Sequence, residues 1–128
     1  MKAAILKYHY EEIVYALNIM ATNMKQYHEE DRMGFSEAIH RFDTLSETVF
    51  LRSLRIINPR LNSASILSIL HLKSVISRLF SSLWYKKLAI ESDILKEACV
   101  LSNQLLRDLG EEYTEPAIYA EQKMEVSW

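Results

Sequence analysis

Glu37-Ala38-Ile39-His40 sets a carboxylate and an imidazole three residues apart, the spacing with which di-iron carboxylate bundles hold metal from one helix. Such a centre takes a second Glu-x-x-His and two further inward glutamates. The chain has no second copy, so the expectation is no metal, no cofactor, and a solvated Glu37 with His40 as its neighbour. His9 and Glu12 share a face in the reverse order and are expected on the outside of the first helix. Cys99 falls on an apolar stripe with Leu95 and Leu106 and reads as a small core residue. Two glycines cannot build a phosphate loop, and one cysteine supplies no paired zinc motif. Ser63, Ser65, Ser68, Ser74, Ser77, Ser81 and Ser82 crowd one stretch, but none sits in a nucleophile elbow. They read as small residues that let helices approach, with hydroxyls that could reach phosphate. No catalytic constellation emerges, and the chain reads as non-enzymatic.

The remaining chemistry is charge. Between Glu47 and Glu91 there is no Asp or Glu, while Arg52, Arg55, Arg60, Lys73, Arg78, Lys86 and Lys87 all lie there. Segment 48–90 is +7, residues 1–47 are −3 and residues 91–128 are −6, so the total of −2 hides a cationic centre between acidic ends. Such segregation marks a surface that meets an anion, or a segment that acidic helices neutralise within the molecule. On a helical wheel Lys73, Arg78, Lys86 and Lys87 are spread. Arg52 and Arg55 are neighbours, with Arg60 in the loop beyond. About half of the seven are expected to stay free for phosphate.

Composition bounds what can position these residues. A chain of 128 residues, 49% apolar and 25% charged, is one globular domain, with too few Gly and Pro for the turns of an all-β protein. A single cysteine excludes an intrachain disulfide and suits a reducing, cytoplasmic location. The N-terminus lacks a signal-peptide run. The most apolar window, 66–85, carries His71, Lys73 and Arg78, which argues against a membrane span.

Leu6, Tyr10, Ile13, Leu17, Met20, Met24 and Tyr27 make an unbroken helical stripe, predicting a first helix over 4–28 ended by the polar cluster around His28–Gly34. A second helix is predicted from Ser36 to Asn58-Pro59, with stripes Ile39, Phe42, Val49, Ile56 and Phe50, Leu54, Ile57. Asn62 or Ser63 can cap a third helix bearing Ile69, Leu72, Ile76, Leu79, Leu83 and Ile90, beside a second stripe of Phe80, Trp84 and Leu88. Ser92 can cap a fourth, with Ile94, Ala98, Leu101 and Leu105, that stops at Gly110. Thr114-Glu115-Pro116 opens a short extra helix ending in an exposed tail. The reading is an all-α antiparallel four-helix bundle over 1–110 with a C-terminal extension over 111–128. The surplus stripes at Phe50, Leu54, Ile57 and at Phe80, Trp84, Leu88 are expected to bury against other subunits, or else to widen the core.

The run from Glu30 to Arg41, Glu-Asp-Arg-Met-Gly-Phe-Ser-Glu-Ala-Ile-His-Arg, resembles the loop and second-helix start of a small four-helix-bundle family. That family comprises proteins encoded in ribosomal-RNA intervening sequences and the accessory variability determinants of diversity-generating retroelements. Met33 stands where the family has an aromatic residue, and the usual Pro before the acidic pair is absent. Val75-Ile-Ser-Arg-Leu-Phe80 is similar to the family's third helix and Asn103-Gln-Leu-Leu-Arg-Asp-Leu-Gly110 to the end of its fourth. The Gly-Gly-Trp that usually follows is Glu111-Glu112-Tyr113 here. The likeness spans about residues 6–110. It implies a homo-oligomeric ring, a pentamer above all, with a basic surface or channel. It also implies a non-catalytic accessory role in which the protein binds a reverse transcriptase and its template RNA.

The expected function is therefore that of a nucleic-acid-binding accessory protein. It would contact RNA or DNA phosphate through Arg52, Arg55, Arg60, Lys73, Arg78, Lys86 and Lys87, with itself and a reverse transcriptase as protein partners and no membrane. The alternative is a protein-interaction bundle, such as a secretion chaperone or adaptor, without a nucleic-acid role.

Overall fold

In the computed structural model the described residues are 3–80, 83–86 and 92–124. They form α1 (Ala3–Met20), α2 (Glu29–Leu45), α3 (Thr48–Ser53), α4 (Ser63–Ile76), α5 (Ser92–Asp108) and α6 (Pro116–Lys123). Short 3₁₀ turns lie at Met24–Gln26, Leu54–Ile56 and Ser77–Leu79. No strand occurs among the described residues, so the fold is all-α. No helix among them is long and apolar enough to cross a membrane.

The core follows the apolar periodicity. Leu6, Tyr10, Ile13, Leu17, Met20 and Met24 bury against Ile39, Phe42, Ile69, Leu72, Ile76, Leu79, Ala98 and Leu105. Each fully buried aliphatic side chain of this kind contributes about 1.5–3 kcal/mol relative to exposure. α1 packs on α2, α5 and α6; α4 packs on α5, α3 and α2.

Helix boundaries depart from the sequence expectations in instructive ways. α1 ends at Met20 rather than near residue 28, because Asn23 turns the chain: its side chain accepts from Lys25 N–H at 3.0 Å and caps a 3₁₀ turn. The stripe continues through that turn, so Met24 is buried although it has left the helix. The acidic cluster expected to end helix 1 instead starts α2. Glu29, Glu30 and Asp31 occupy its first turn, where carboxylates complement the helix dipole.

The predicted second helix breaks at Ser46-Glu47. The Ser46 hydroxyl donates to Phe42 C=O at 2.7 Å, and Ser46 is fully buried. The break resets the helical phase. Leu51 and Leu54 then point into the core, while Val49 and Ile56, expected on a core stripe, are 79% and 72% exposed. The surplus stripes are likewise spent within the chain: Leu54 and Trp84 are fully buried, and Phe50, Ile57 and Phe80 are half-buried against the core. Leu83, expected on the core stripe of helix 3, is exposed because the chain has already left the α-helix at Ile76. Leu88 and Ile90 lie outside the described residues.

Three caps match their expected positions. Asn62 and Ser65 form a reciprocal capping box at α4, with Ser65 N–H donating to Asn62 Oδ1 at 3.0 Å and Asn62 N–H to Ser65 Oγ at 3.1 Å. Gly110 ends α5 with φ +74°; Glu111 N–H donates to Leu106 C=O at 2.8 Å and Gly110 N–H to Arg107 C=O at 3.0 Å. That pair of bonds is a Schellman motif. Pro116 opens α6 with Glu115 as its N-cap. α6 is not loosely appended: Tyr119 is buried and stacks on Tyr15 of α1 at 6.3 Å.

Candidate nucleic-acid interface

The turn between α3 and α4 is built from polar side chains that fix its backbone. The Asn58 amide donates to Tyr10 Oη at 2.8 Å and to Leu109 C=O at 2.9 Å, and its carbonyl accepts Arg60 N–H at 2.9 Å. Tyr10 in turn donates to Glu111 at 2.9 Å. One asparagine thus ties the turn to α1 and to the end of α5. Burial pushes the Tyr10 phenol far above its ordinary value, with the Asn58 hydrogen bond opposing and the Glu111 charge reinforcing that shift.

Two arginines border this turn, and a third precedes it by one helical turn. Arg55 Nε donates to Leu61 C=O at 2.6 Å, bracing the turn from the α3 side and leaving the rest of its guanidinium uncommitted. Arg60 lies over the end of α5, so close that a Cβ on Gly110 would stand 2.6 Å from its Nη1. A cation at that helix terminus meets the negative end of the dipole, worth about 0.3–1 kcal/mol. Arg52, one turn before Arg55, is exposed, and its side chain makes no hydrogen bond or ion pair among the described residues. None of the three has a carboxylate partner among those residues.

The other members of the predicted set go elsewhere. Lys73 Nζ donates to Glu47 at 2.9 Å and to Ser46 C=O at 3.1 Å, pinning the break between α2 and α3. Arg78 pairs with Glu97 of α5 at 3.0 Å. Both are counter-charges for neighbouring helices. Lys86 is exposed, in the turn after Trp84 and away in sequence from the arginine cluster. Lys87 lies outside the described residues. Arg55 and Arg60 thus sit at the α3–α4 turn with Arg52 one helical turn earlier, while Lys73 and Arg78 are each paired with a carboxylate.

The imidazole–carboxylate pairs also resolve. Glu37 and His40 are both exposed, and His40 stacks on Phe80 with ring centroids 4.0 Å apart. His9 is not on the outer face as expected. Its Nδ1 lies 2.7 Å from Glu12, which also takes Arg41 Nε at 3.0 Å, and its ring meets the edge of Phe50. The trio closes the seam between α1 and α2. Among the described residues no three His, Cys, Asp or Glu side chains converge as metal ligands. Cys99, expected in the core, is half-buried, with its thiol donating to Ala21 C=O at 3.4 Å.

No protein-family model, curated protein or solved structure matches this chain. The functional reading rests on the site itself. Sequence reasoning missed Asn58, whose position before Pro59 signalled a turn but not the three elements it joins. It also missed Arg32, which donates to Tyr85 C=O at 2.8 Å and to Tyr27 C=O, holding the turn after Trp84 against the start of α2.

Proposed function

We propose that this protein is a non-enzymatic, nucleic-acid-binding accessory protein whose phosphate contacts centre on Arg52, Arg55 and Arg60. The observation that carries the reading is a pair of arginines, Arg55 and Arg60, set on one hydrogen-bonded turn, with Arg52 exposed one helical turn before them and none of the three paired with a carboxylate among the described residues. Planar guanidinium forks suit phosphate oxygens, and a fixed turn lowers the entropy cost of presenting them. The site has no exposed sheet of aromatics to stack bases, so binding should depend on backbone charge rather than sequence. By resemblance, the protein partner is a reverse transcriptase and the nucleic acid its template RNA.

The finer architecture proposed is a four-helix bundle of α1, α2, α4 and α5. Pairwise packing supports it, since α1–α2, α2–α4, α4–α5 and α5–α1 contacts close a square. A pentameric ring of such bundles remains our proposal, on a different apolar set from the one the sequence indicated. Val49, Ile56, Leu67 and Val100, each exposed by two thirds or more, are available for burial between protomers. Light scattering should then give about five times the 15.0 kDa protomer mass, and a monodisperse monomer would remove the ring.

A second reading has its own observation. Val49 and Ile56 flank Arg52 on the exposed side of the α3 segment, and arginine amid apolar residues is typical of protein interfaces. Purification separates the two. A nucleic-acid binder should carry nucleic-acid absorbance that high salt strips away. A purely protein-binding bundle should emerge free of it at any salt.

A further inference from the structure

Away from the arginine turn, the end of α1 and the start of α5 enclose a cleft of about 420 Å³. That volume lies within the usual range for small-molecule sites, roughly 300–1,000 Å³. Met20, Met24 and Leu95 supply apolar lining, and Cys99 opens onto it. The thioether side chains adapt their shape to a guest at little cost. Two neutral polar oxygens that line it are already engaged: Thr22 Oγ1 accepts from Tyr113 at 2.8 Å and Asn23 Oδ1 accepts from Lys25 N–H at 3.0 Å. Lys25 and Lys96 also line the cleft. Both are exposed, and neither ammonium has a hydrogen bond or ion pair among the described residues. An apolar floor edged by two uncompensated cations is complementary to one kind of guest.

We propose that this cleft binds a small amphipathic anion, with an apolar body on Met20, Met24 and Leu95 and a carboxylate, sulfonate or phosphate end between Lys25 and Lys96. The cleft forms because α1 stops at Met20. Had the helix continued, this segment would have carried its side chains around a helix instead of opening a concavity toward Cys99. The site is separate from Arg52, Arg55 and Arg60, and the inference does not depend on nucleic-acid binding.

Cys99 is the chain's single cysteine, so its alkylation reports on this cleft alone. The full-length protein is titrated with decanoate, decanol and decyltrimethylammonium, each competing against anilinonaphthalene sulfonate fluorescence. The rate of Cys99 alkylation by iodoacetamide is followed in parallel. Decanoate should bind more tightly than the neutral and cationic analogues and slow alkylation severalfold. Lys25→Gln with Lys96→Gln should weaken decanoate about five- to tenfold while leaving decanol unchanged. Both positions are exposed, so the variant keeps its helical circular dichroism. Equal affinity for the three head groups, no decanoate binding, or decanoate binding that leaves Cys99 alkylation unchanged would each overturn the proposal.

Discussion

Replacing Gly110 probes the corner on which the arginine site is built. Its φ of +74° lies in the left-handed region, where an L side chain costs about 1–2 kcal/mol. Alanine also restricts the unfolded chain, which returns about 0.4–1 kcal/mol. Gly110→Ala should therefore lose about 1 kcal/mol through the backbone. Its new Cβ would stand 2.6 Å from Arg60 Nη1 and displace that guanidinium from the end of α5. Losing this dipole interaction adds about 0.5 kcal/mol. The total of about 1.5 kcal/mol corresponds to a fall in Tm of roughly 6 °C for a domain of this size. Gly110→Asn separates the terms. Asparagine tolerates the left-handed region, so it should lose only about 0.5 kcal/mol, and in an Arg60→Ala background it should be nearly neutral. Urea and thermal unfolding followed by circular dichroism read all five proteins, wild type and Arg60→Ala included. A neutral or stabilising Gly110→Ala would refute the Schellman cap. A Gly110→Asn cost that is the same in the Arg60→Ala background as in wild type would refute the placement of Arg60.

Tyr27 is held at about 12, first by burial and then by its hydrogen bond to Glu115; burial also raises Tyr10, Tyr15 and Tyr119. A folded-state phenol value above the unfolded one means the native state keeps protons that the unfolded state sheds. Stability should thus be intact below pH 10 and fall from 10 to 12, read by unfolding at a series of alkaline pH values; a flat profile there would contradict these burials. Lys73→Met removes the clamp on Ser46 C=O and should cost about 1 kcal/mol without changing nucleic-acid affinity. Arg78→Gln breaks an exposed pair with Glu97 and should shift stability by less than about 1 kcal/mol, again with binding unchanged.

Much of the core was legible because helical periodicity is a local signal. Leu6, Ile13 and Leu17, or Ile69, Leu72 and Ile76, share a face whatever lies across from them. The cap of α4 and the end of α5 were legible for the same reason, since Asn62 and Gly110 act within one turn. The misreadings were failures of phase. Ser46 can sit inside a helix, and its burial, its hydroxyl's bond to Phe42 C=O and the tertiary bond from Lys73 to its carbonyl accompany the break there. With that break unseen, periodicity puts Val49 and Ile56 on a core stripe and leaves Leu54 on a surplus one, for other subunits or a wider core. The acidic run at 29–31 fits a helix start as well as a helix end, and dipole complementarity favours the start. Charge was legible as composition but not as geometry. The absence of carboxylates over 48–90 did not reveal that Glu47 and Glu97, just outside it, reach Lys73 and Arg78. The cleft beside Cys99 had no sequence signature, because it arises from helix α1 stopping short.

The central claim is tested most directly by the salt dependence of RNA binding. Fluorescence anisotropy of a labelled structured RNA is measured at several salt concentrations against wild type, Arg52→Gln, and a Lys73→Gln/Arg78→Gln control. Each phosphate contact contributes roughly 0.7–0.9 to the slope of log affinity on log salt. The Arg52 side chain is exposed and makes no hydrogen bond or ion pair among the described residues, so its replacement should leave stability nearly intact and flatten the slope by nearly one contact. The Lys73/Arg78 control should leave the slope where it was. No binding by wild type at low salt, or a slope that responds to Lys73 and Arg78 but not to Arg52, would contradict the assignment of this turn as the nucleic-acid site.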